Sequence, residues 1–189
     1  MEELIQLDKE AMVWLNSWHS SGWDVVMYWV SHKLFWIPLY AFLLGWLIWK
    51  EKWQAVYSLV ALGLTIALAD RFTSGFMKPY FARPRPCHDE AIGHLIHLVE
   101  NHCGGKYGFA SSHAANVFGI ASFFWLRFGR QYRWFIFLFP WAVWVAYSRV
   151  YLGVHYPADI TVGAIVGILA AWLSATILQW FRNRLRKTT

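Results

Sequence analysis

Charged side chains are scarce in this chain. Lysine, arginine, aspartate and glutamate make up 15% of its 189 residues, where a water-soluble domain carries about a quarter. The apolar fraction is 58% and the mean hydropathy is +0.33, with the apolar residues gathered in long runs. This composition excludes an ordinary soluble core and indicates a membrane bundle organised as one domain, residues 1–189. A secretory signal is missing too. Met1-Glu2-Glu3 stands where such signals are basic, and no small-residue cleavage site follows a short apolar core. Insertion is therefore expected to rely on internal spans. The spaced cysteine and histidine pairs of common zinc sites are also lacking. Cys87-His88 and His102-Cys103 are adjacent pairs, and His94 and His97 sit in a stretch that reads as a short amphipathic helix. No metal or other cofactor is expected.

What is present is a set of apolar stretches. Five have the length and character to cross a bilayer: roughly Leu34 to Trp49, Trp53 to Ala69, Ala110 to Leu126, Trp134 to Tyr147, and Ile160 to Phe181. The first is open to an earlier start in the VVMYWVSH segment. Ahead of them, Leu4, Ile5, Leu7, Met12, Val13, Leu15 and Trp18 recur at helical spacing. This predicts an amphipathic helix lying in the membrane interface, with docking of that helix on the bundle as the alternative. The fold class is all-α: an integral-membrane bundle of about five spanning helices plus one N-terminal interfacial helix.

The formal net charge of +6 raises nucleic-acid binding until the charges are located. Lys50 and Lys52, then Arg127, Arg130 and Arg133, then Arg182, Arg184, Arg186 and Lys187 fall on alternate loops and the tail. By the positive-inside rule that side is cytoplasmic, so the basic excess is a topology signal and no nucleic-acid partner follows. The C-terminus is then cytoplasmic and the N-terminus outside. Residues 70–109 form an outer loop or lid, and residues 148–159 an outer turn. No obligatory protein partner is inferred.

Three segments on the outer side carry chemistry. Lys78-Pro-Tyr-Phe-Ala-Arg-Pro-Arg85-Pro86 interleaves cations with prolines, which makes a stiff extended strap that holds several charged donors toward an anion. Contact with lipid headgroups is its plainer reading. Ser111-Ser112-His113 starts the third span. Ser111 is a natural N-cap there, so first-turn amides face outward where phosphate binds readily, and His113 lies beside them. Simple capping is the alternative. Ser148-Arg149 with His155 and Asp159 sits at the junction of the last two spans, with Pro157 placed for the first turn of the last helix. His155 and Asp159 are four residues apart. A carboxylate on one ring nitrogen fixes the tautomer and leaves the other nitrogen free to attack, while an aspartate that merely caps the last helix is the bland account.

Taken together, the segments resemble the type 2 phosphatidic acid phosphatase superfamily, whose motifs read K-x6-R-P, P-S-G-H and S-R-x5-H-x3-D. Lys78 to Arg85-Pro86 fits the first, with Arg83-Pro84 a decoy at the wrong spacing. Ser148, Arg149, His155 and Asp159 complete the third. The middle motif departs, because Ala110-Ser111-Ser112-His113 lacks its proline and glycine. The resemblance implies metal-independent hydrolysis of a lipid phosphate or diphosphate through a phospho-histidine. In it His155 is the nucleophile, Asp159 orients it, and His113 is the general acid. Lys78, Arg85, Ser111, Ser112 and Arg149 hold the phosphate oxygens.

Small size and an outward site favour undecaprenyl diphosphate as substrate. Lipid A 1-phosphate, phosphatidylglycerol phosphate and phosphatidic acid are the alternatives. A non-catalytic lipid-binding or transport protein is the rival of another class, and transfer of the phosphoryl group to a second lipid is a third option. The expected setting is a bacterial inner membrane, with a lipid phosphate and the bilayer as the partners. An oxidising periplasm permits a disulfide between Cys87 and Cys103, which is favoured over free thiols.

Overall fold

The computed structural model describes residues 2–188, with side chains described through Arg184. The side chains of Arg186 and Lys187, counted above in the basic tail, lie outside the described residues. Among these residues the secondary structure is helical throughout, with no β-strand and one isolated bridge between Pro84 and Tyr107. The α-helices are α1 (Glu2–Asn16), α2 (Ser21–Ser31), α3 (Ile37–Glu51), α4 (Ala55–Asp70), α5 (Lys78–Phe81), α6 (Ser112–Phe128), α7 (Leu138–Tyr151) and α8 (Pro157–Thr188). Helices α3, α4, α6, α7 and α8 coincide with the five apolar stretches. By length and composition, two helical stretches are long and apolar enough to cross a membrane, Lys33–Phe81 and Pro157–Arg184. The first contains both α3 and α4, and it reverses at Lys52, whose φ of 52° breaks the helix.

The centre of the bundle is α6 packed on α8, with α4 against both. Small residues permit a close approach. A Cβ added at Gly163 would lie 2.4 Å from the carbonyl oxygen of Ser111, and one at Gly167 only 2.1 Å from that of Ala115. These two glycines form a G-x-x-x-G pair, which lets backbones meet where lipid offers no hydrophobic drive for association. On α6, Ala114, Ala115, Val117, Ala121, Phe123 and Phe124 are all buried.

Both α6 and α8 begin at one end of the bundle and finish at the other. At the finishing end Glu51 accepts from Ser58, Arg127 and Arg182, the last at 3.0 Å, and so ties α3, α4, α6 and α8 together. Arg127 and Arg182 thus share that end with Lys50 and Lys52, which flank Glu51 in the sequence.

At the starting end the helices differ from expectation in three places. The expected N-terminal helix is present as α1, and the VVMYWVSH segment forms a separate helix, α2, instead of an earlier start to the first span. α1 docks rather than merely floating: Met12 is fully buried against Ile92, Ile96, Val150 and Tyr156, while Leu4, Leu7, Trp14 and Trp18 stay exposed. Asn16 brackets the contact, donating to Tyr151 O at 2.7 Å and accepting from His97 N at 2.7 Å. α2 is separate from the first expected span, capped by Ser20 and ended at His32, where the backbone turns extended.

The second difference is in the lid. Helix continues beyond Asp70 through a π-helical turn, Arg71–Met77, into α5, so the irregular segment begins at residue 82 rather than 70. The polar residues of this extension are four apart: Ser74 Oγ is 3.4 Å from Asp70 Oδ1, and Lys78 Nζ is 3.4 Å from Ser74 Oγ. They form one stripe, leaving Phe72 and Phe76 exposed on another face. The expected strap is therefore helical up to Phe81 and extended only after it. Third, the stretch holding His94 and His97 is a short 3-10 turn, Gly93–Leu95, followed by extended backbone. Its amphipathic helix is overridden by docking: Ile96 packs with Met12, and His97 is held by Asn16. Cys87 and Cys103 are joined in a disulfide with Cα atoms 6.1 Å apart.

Candidate active site

The three motif segments meet at the end of the bundle away from Glu51. His155 lies in the turn between α7 and α8. Gly153, with φ of +78°, shapes that turn, and a side chain there would sit 2.7 Å from His97 O. The amides of Val154 and His155 both donate to Arg149 O, at 3.1 and 3.2 Å. The closed turn drives the imidazole inward, where it is 2% exposed. Its Nδ1 is 3.1 Å from Asp159 Oδ2 and its Nε2 is 3.4 Å from Arg85 Nη1. A guanidinium only donates, so Nε2 is the acceptor and Nδ1 carries the proton shared with Asp159. Burial first, then the charges of Arg85, Arg149 and Lys78, hold the His155 pKa well below the usual imidazole range. The ring is neutral at pH 7, with a lone pair on Nε2.

Asp159 is fully buried on the first turn of α8. Its Oδ2 also accepts from Tyr156 N at 3.1 Å, and its Oδ1 lies 3.3 Å from Arg83 Nη1. Ser111 N donates to the backbone oxygen of Asp159 at 3.0 Å, which fixes the start of α6 against the start of α8. Ser111 is buried and caps α6, its Oγ accepting from Ala114 N.

The cations arrive from three directions. Arg85 extends from the 83–85 segment, which pairs with the chain at Lys106 and Gly108. Its Nη1 donates to Val154 O at 3.0 Å. Arg149 stands in the last turn of α7 and donates to Ser31 Oγ on α2. Lys78 Nζ is 3.3 Å from Ser112 Oγ, next to His113. Among the described residues, the Nε atoms of Arg85 and Arg149 are buried without a hydrogen-bond partner, so each has a donor to spare. Gly108 leaves space beside His155 and Asp159: a Cβ there would lie 3.0 Å from Asp159 Oδ2 and 3.5 Å from His155 Nδ1.

Two cavities open from this cluster and share Ser31, Lys33 and His113. One, of about 500 Å³, is bounded by Arg149, His32, His102 and Glu100. The other, of about 460 Å³, runs from Ser112 and His113 between α3, α4 and α6, along Tyr40, Leu43, Leu62, Ile66, Ile120 and Phe124. A third cavity, of about 660 Å³, lies at the opposite end among Arg127, Arg130, Arg133 and Arg182 and contains none of the motif residues. Cys87, His88 and Cys103 also stand close together, but the two sulfurs are spent on each other in the disulfide.

A family model described as the PAP2 superfamily matches residues 54–183. The chain belongs to the PAP2 superfamily. Two relatives align along almost all of it, both named lipid A 4'-phosphatase. The one from Bacteroides thetaiotaomicron is 38% identical, covering 100% of this chain and 84% of its own length. The one from Porphyromonas gingivalis is 30% identical, covering 97% and 78%. In fold, the PAP2 chain is similar to a crystal structure titled the first transmembrane PAP2 type phosphatidylglycerolphosphate phosphatase from Bacillus subtilis. That similarity has a TM-score of 0.68 and 19% identity, over 97% of this chain and 88% of the other. The PAP2 chain is thus a hydrolase of phosphate esters on membrane lipids.

Sequence reasoning missed two contributions to this PAP2 site. Arg83, set aside as a decoy, reaches Asp159. The available signal was its position two residues from Arg85 in extended chain, which puts both side chains on the same side. Ser31 and Lys33, on and just after α2, border the cavities, and no motif marks them.

Proposed function

We propose that this chain removes a phosphate monoester from a lipid A-type glycolipid at the outer face of a bacterial inner membrane, by way of a phospho-histidine on His155. The observation that carries the reading is a buried, neutral His155 whose Nε2 faces the Arg85 guanidinium at 3.4 Å, with Arg149 and Lys78 close enough to act on it by charge. A phosphoryl group there would accept from Arg85 and Arg149, and from Lys78 and the first-turn amides after Ser111. Fixed donors of this kind stabilise a transferring phosphoryl group without reorganisation. Nε2 attacks phosphorus while the bond to the sugar oxygen breaks, and that oxygen takes its proton from His113. Water then attacks the phosphorus and gives a proton to the now neutral His113; the N–P bond breaks, releasing inorganic phosphate and returning His155 to its neutral form. Ser112 and Ser111 hold the site's edge, and Asp159 keeps the Nδ1 proton in place.

Lipid A replaces undecaprenyl diphosphate as the preferred substrate. Small size and an outward site suit both, whereas the two relatives that run along almost the whole chain carry the lipid A name. The 500 Å³ cavity has room for sugar beyond the phosphate, and the apolar 460 Å³ groove suits an acyl chain. Five bilayer crossings, a cytoplasmic C-terminus and residues 82–111 as an outer lid complete the proposal. The basic residues collected around Glu51 support that orientation, and the disulfide at the other end suits an oxidising compartment.

The test is phosphate release in detergent with EDTA present, from bisphosphorylated lipid A, undecaprenyl diphosphate, phosphatidylglycerol phosphate and phosphatidic acid, with mass spectrometry to locate the phosphate lost. We expect the highest kcat/KM on lipid A and loss of the 4'-phosphate. His155→Ala should lower kcat by ~10⁴-fold or more and abolish acid-labile labelling of the protein. A higher kcat/KM on undecaprenyl diphosphate would overturn the substrate, and labelling that persists in His155→Ala would overturn the nucleophile. Tight lipid binding with no turnover in the unmutated protein would favour the non-catalytic rival.

A further inference from the structure

The carboxylate that faces His155 is contested. One oxygen of Asp159 serves His155 and Tyr156 N, but the other is 3.3 Å from the guanidinium of Arg83. An unshared cation at that distance in a buried site draws on the same negative charge that holds the Nδ1 proton of His155. Arg83 is not unshared. Its Nη2 is 2.8 Å from Asp8 Oδ2, a contact of charges off the hydrogen-bonding axis. Asp8 belongs to α1, 151 positions before Asp159. Its other oxygen accepts from Ala158 N at 2.9 Å, on the first turn of α8 beside Asp159. The guanidinium lies 3.8 Å over the ring of Tyr156, the residue after His155. That ring is held in turn by Asp89, which accepts from Tyr156 Oη at 2.9 Å and pairs with Lys9 of α1 at 2.8 Å.

We propose that Asp8 is a positioning residue for the reaction: α1 delivers it to balance Arg83, so that Asp159 stays committed to His155. The inference rests on the reading of His155 as nucleophile. It makes the N-terminal helix a working part of the site, although residues 2–16 lie outside the region that the family model matches. Asp8 touches neither substrate nor the reacting atoms, and acts only through Arg83 and the start of α8.

A double-mutant cycle separates this role from simple docking of α1. Asp8→Asn is expected to lower kcat about tenfold with KM within about twofold, the size of effect one charge-assisted contact gives. Asp8→Glu should keep most of the activity. Asp8→Ser keeps an acceptor for the Ala158 amide while removing the charge, and serves if Asp8→Asn does not fold; it should show the same loss of kcat. In an Arg83→Gln background the charge to be balanced is gone, so adding Asp8→Asn should cost nothing further. An unchanged kcat in both Asp8→Asn and Asp8→Ser would overturn the proposal. So would a cost that persists undiminished in the Arg83→Gln background, since that is what mere docking predicts. His155→Ala is run beside them: if it is active, the nucleophile reading fails; if it is dead while Asp8→Asn is normal, only the role of Asp8 fails.

Discussion

Each ring nitrogen of His155 faces a group of one kind, and that decides the chemistry available to it. Nδ1 meets a carboxylate and Nε2 meets a guanidinium, so the tautomer is set by partners that cannot exchange roles. The same logic of fixed partners applies to Asp89, which joins α1 to the turn bearing His155. Burial by itself would raise its pKa, but hydrogen bonds from Lys9, Tyr156 and the Ala91 amide outweigh that and bring it below the ordinary carboxyl value. A lowered folded-state pKa means that the contact stabilises fully above the unfolded value of about 3.9 and is lost as pH falls through the folded one. Melting curves in detergent should therefore separate wild type from Asp89→Asn by a constant interval between pH 5 and 8. The interval should shrink below about pH 4; a gap that widens on acidification would contradict the assignment.

At the scale of elements, the crossing of α6 and α8 sets the spacing of the site. Gly167→Ala places a methyl group 2.1 Å from the oxygen of Ala115, so the helices must part. Overpacking of this kind costs about 1–3 kcal/mol, and the Ser111–Asp159 backbone bond should open with it. Both Tm and kcat are expected to fall. Gly45→Ala in α3, where an added Cβ meets nothing within 4 Å, should leave kcat alone and raise helix stability by roughly 0.5–1 kcal/mol. Circular dichroism melts alongside turnover distinguish the two. These elements also mark how far the sequence could be read. Ser111 as a cap, Pro157 at the start of α8 and the spacing of His155 from Asp159 are local signals, and each was legible before any fold. The continuation of helix past Asp70 was not, since Asp70 and Arg71 look like a stop until Ser74 and Lys78 are seen to extend a stripe. The break between α2 and α3 was hidden by unbroken apolar residues on either side. The pairing of Arg83 with Asp8 was illegible in a deeper sense, because Asp8 is brought to it only by the docking of α1.

For the molecule as a whole, Glu51 is the counterpart of the site at the far end. It gathers Arg127 and Arg182 with its side chain 6% exposed. Glu51→Gln removes the carboxylate that Arg127 and Arg182 share and should cost roughly 3 kcal/mol, the lower end for a broken buried pair because both arginines keep some access to solvent. The loss should appear as a lower Tm with KM for lipid little changed, since the pair is remote from the phosphate; a selective change in KM would argue that the two ends communicate. The G-x-x-x-G contact has a longer reach. With backbone against backbone, neither helix can turn about its axis without its carbonyls colliding, so the distance between the His155 ring and the first-turn amides of α6 is set by the main chain rather than by any side chain that substitution can trim. The walls supplied by α2 and by the disulfide-closed segment carry no such constraint. A substitution in those walls can reshape the 500 Å³ cavity while the spacing between His155 and the start of α6 stays as it is.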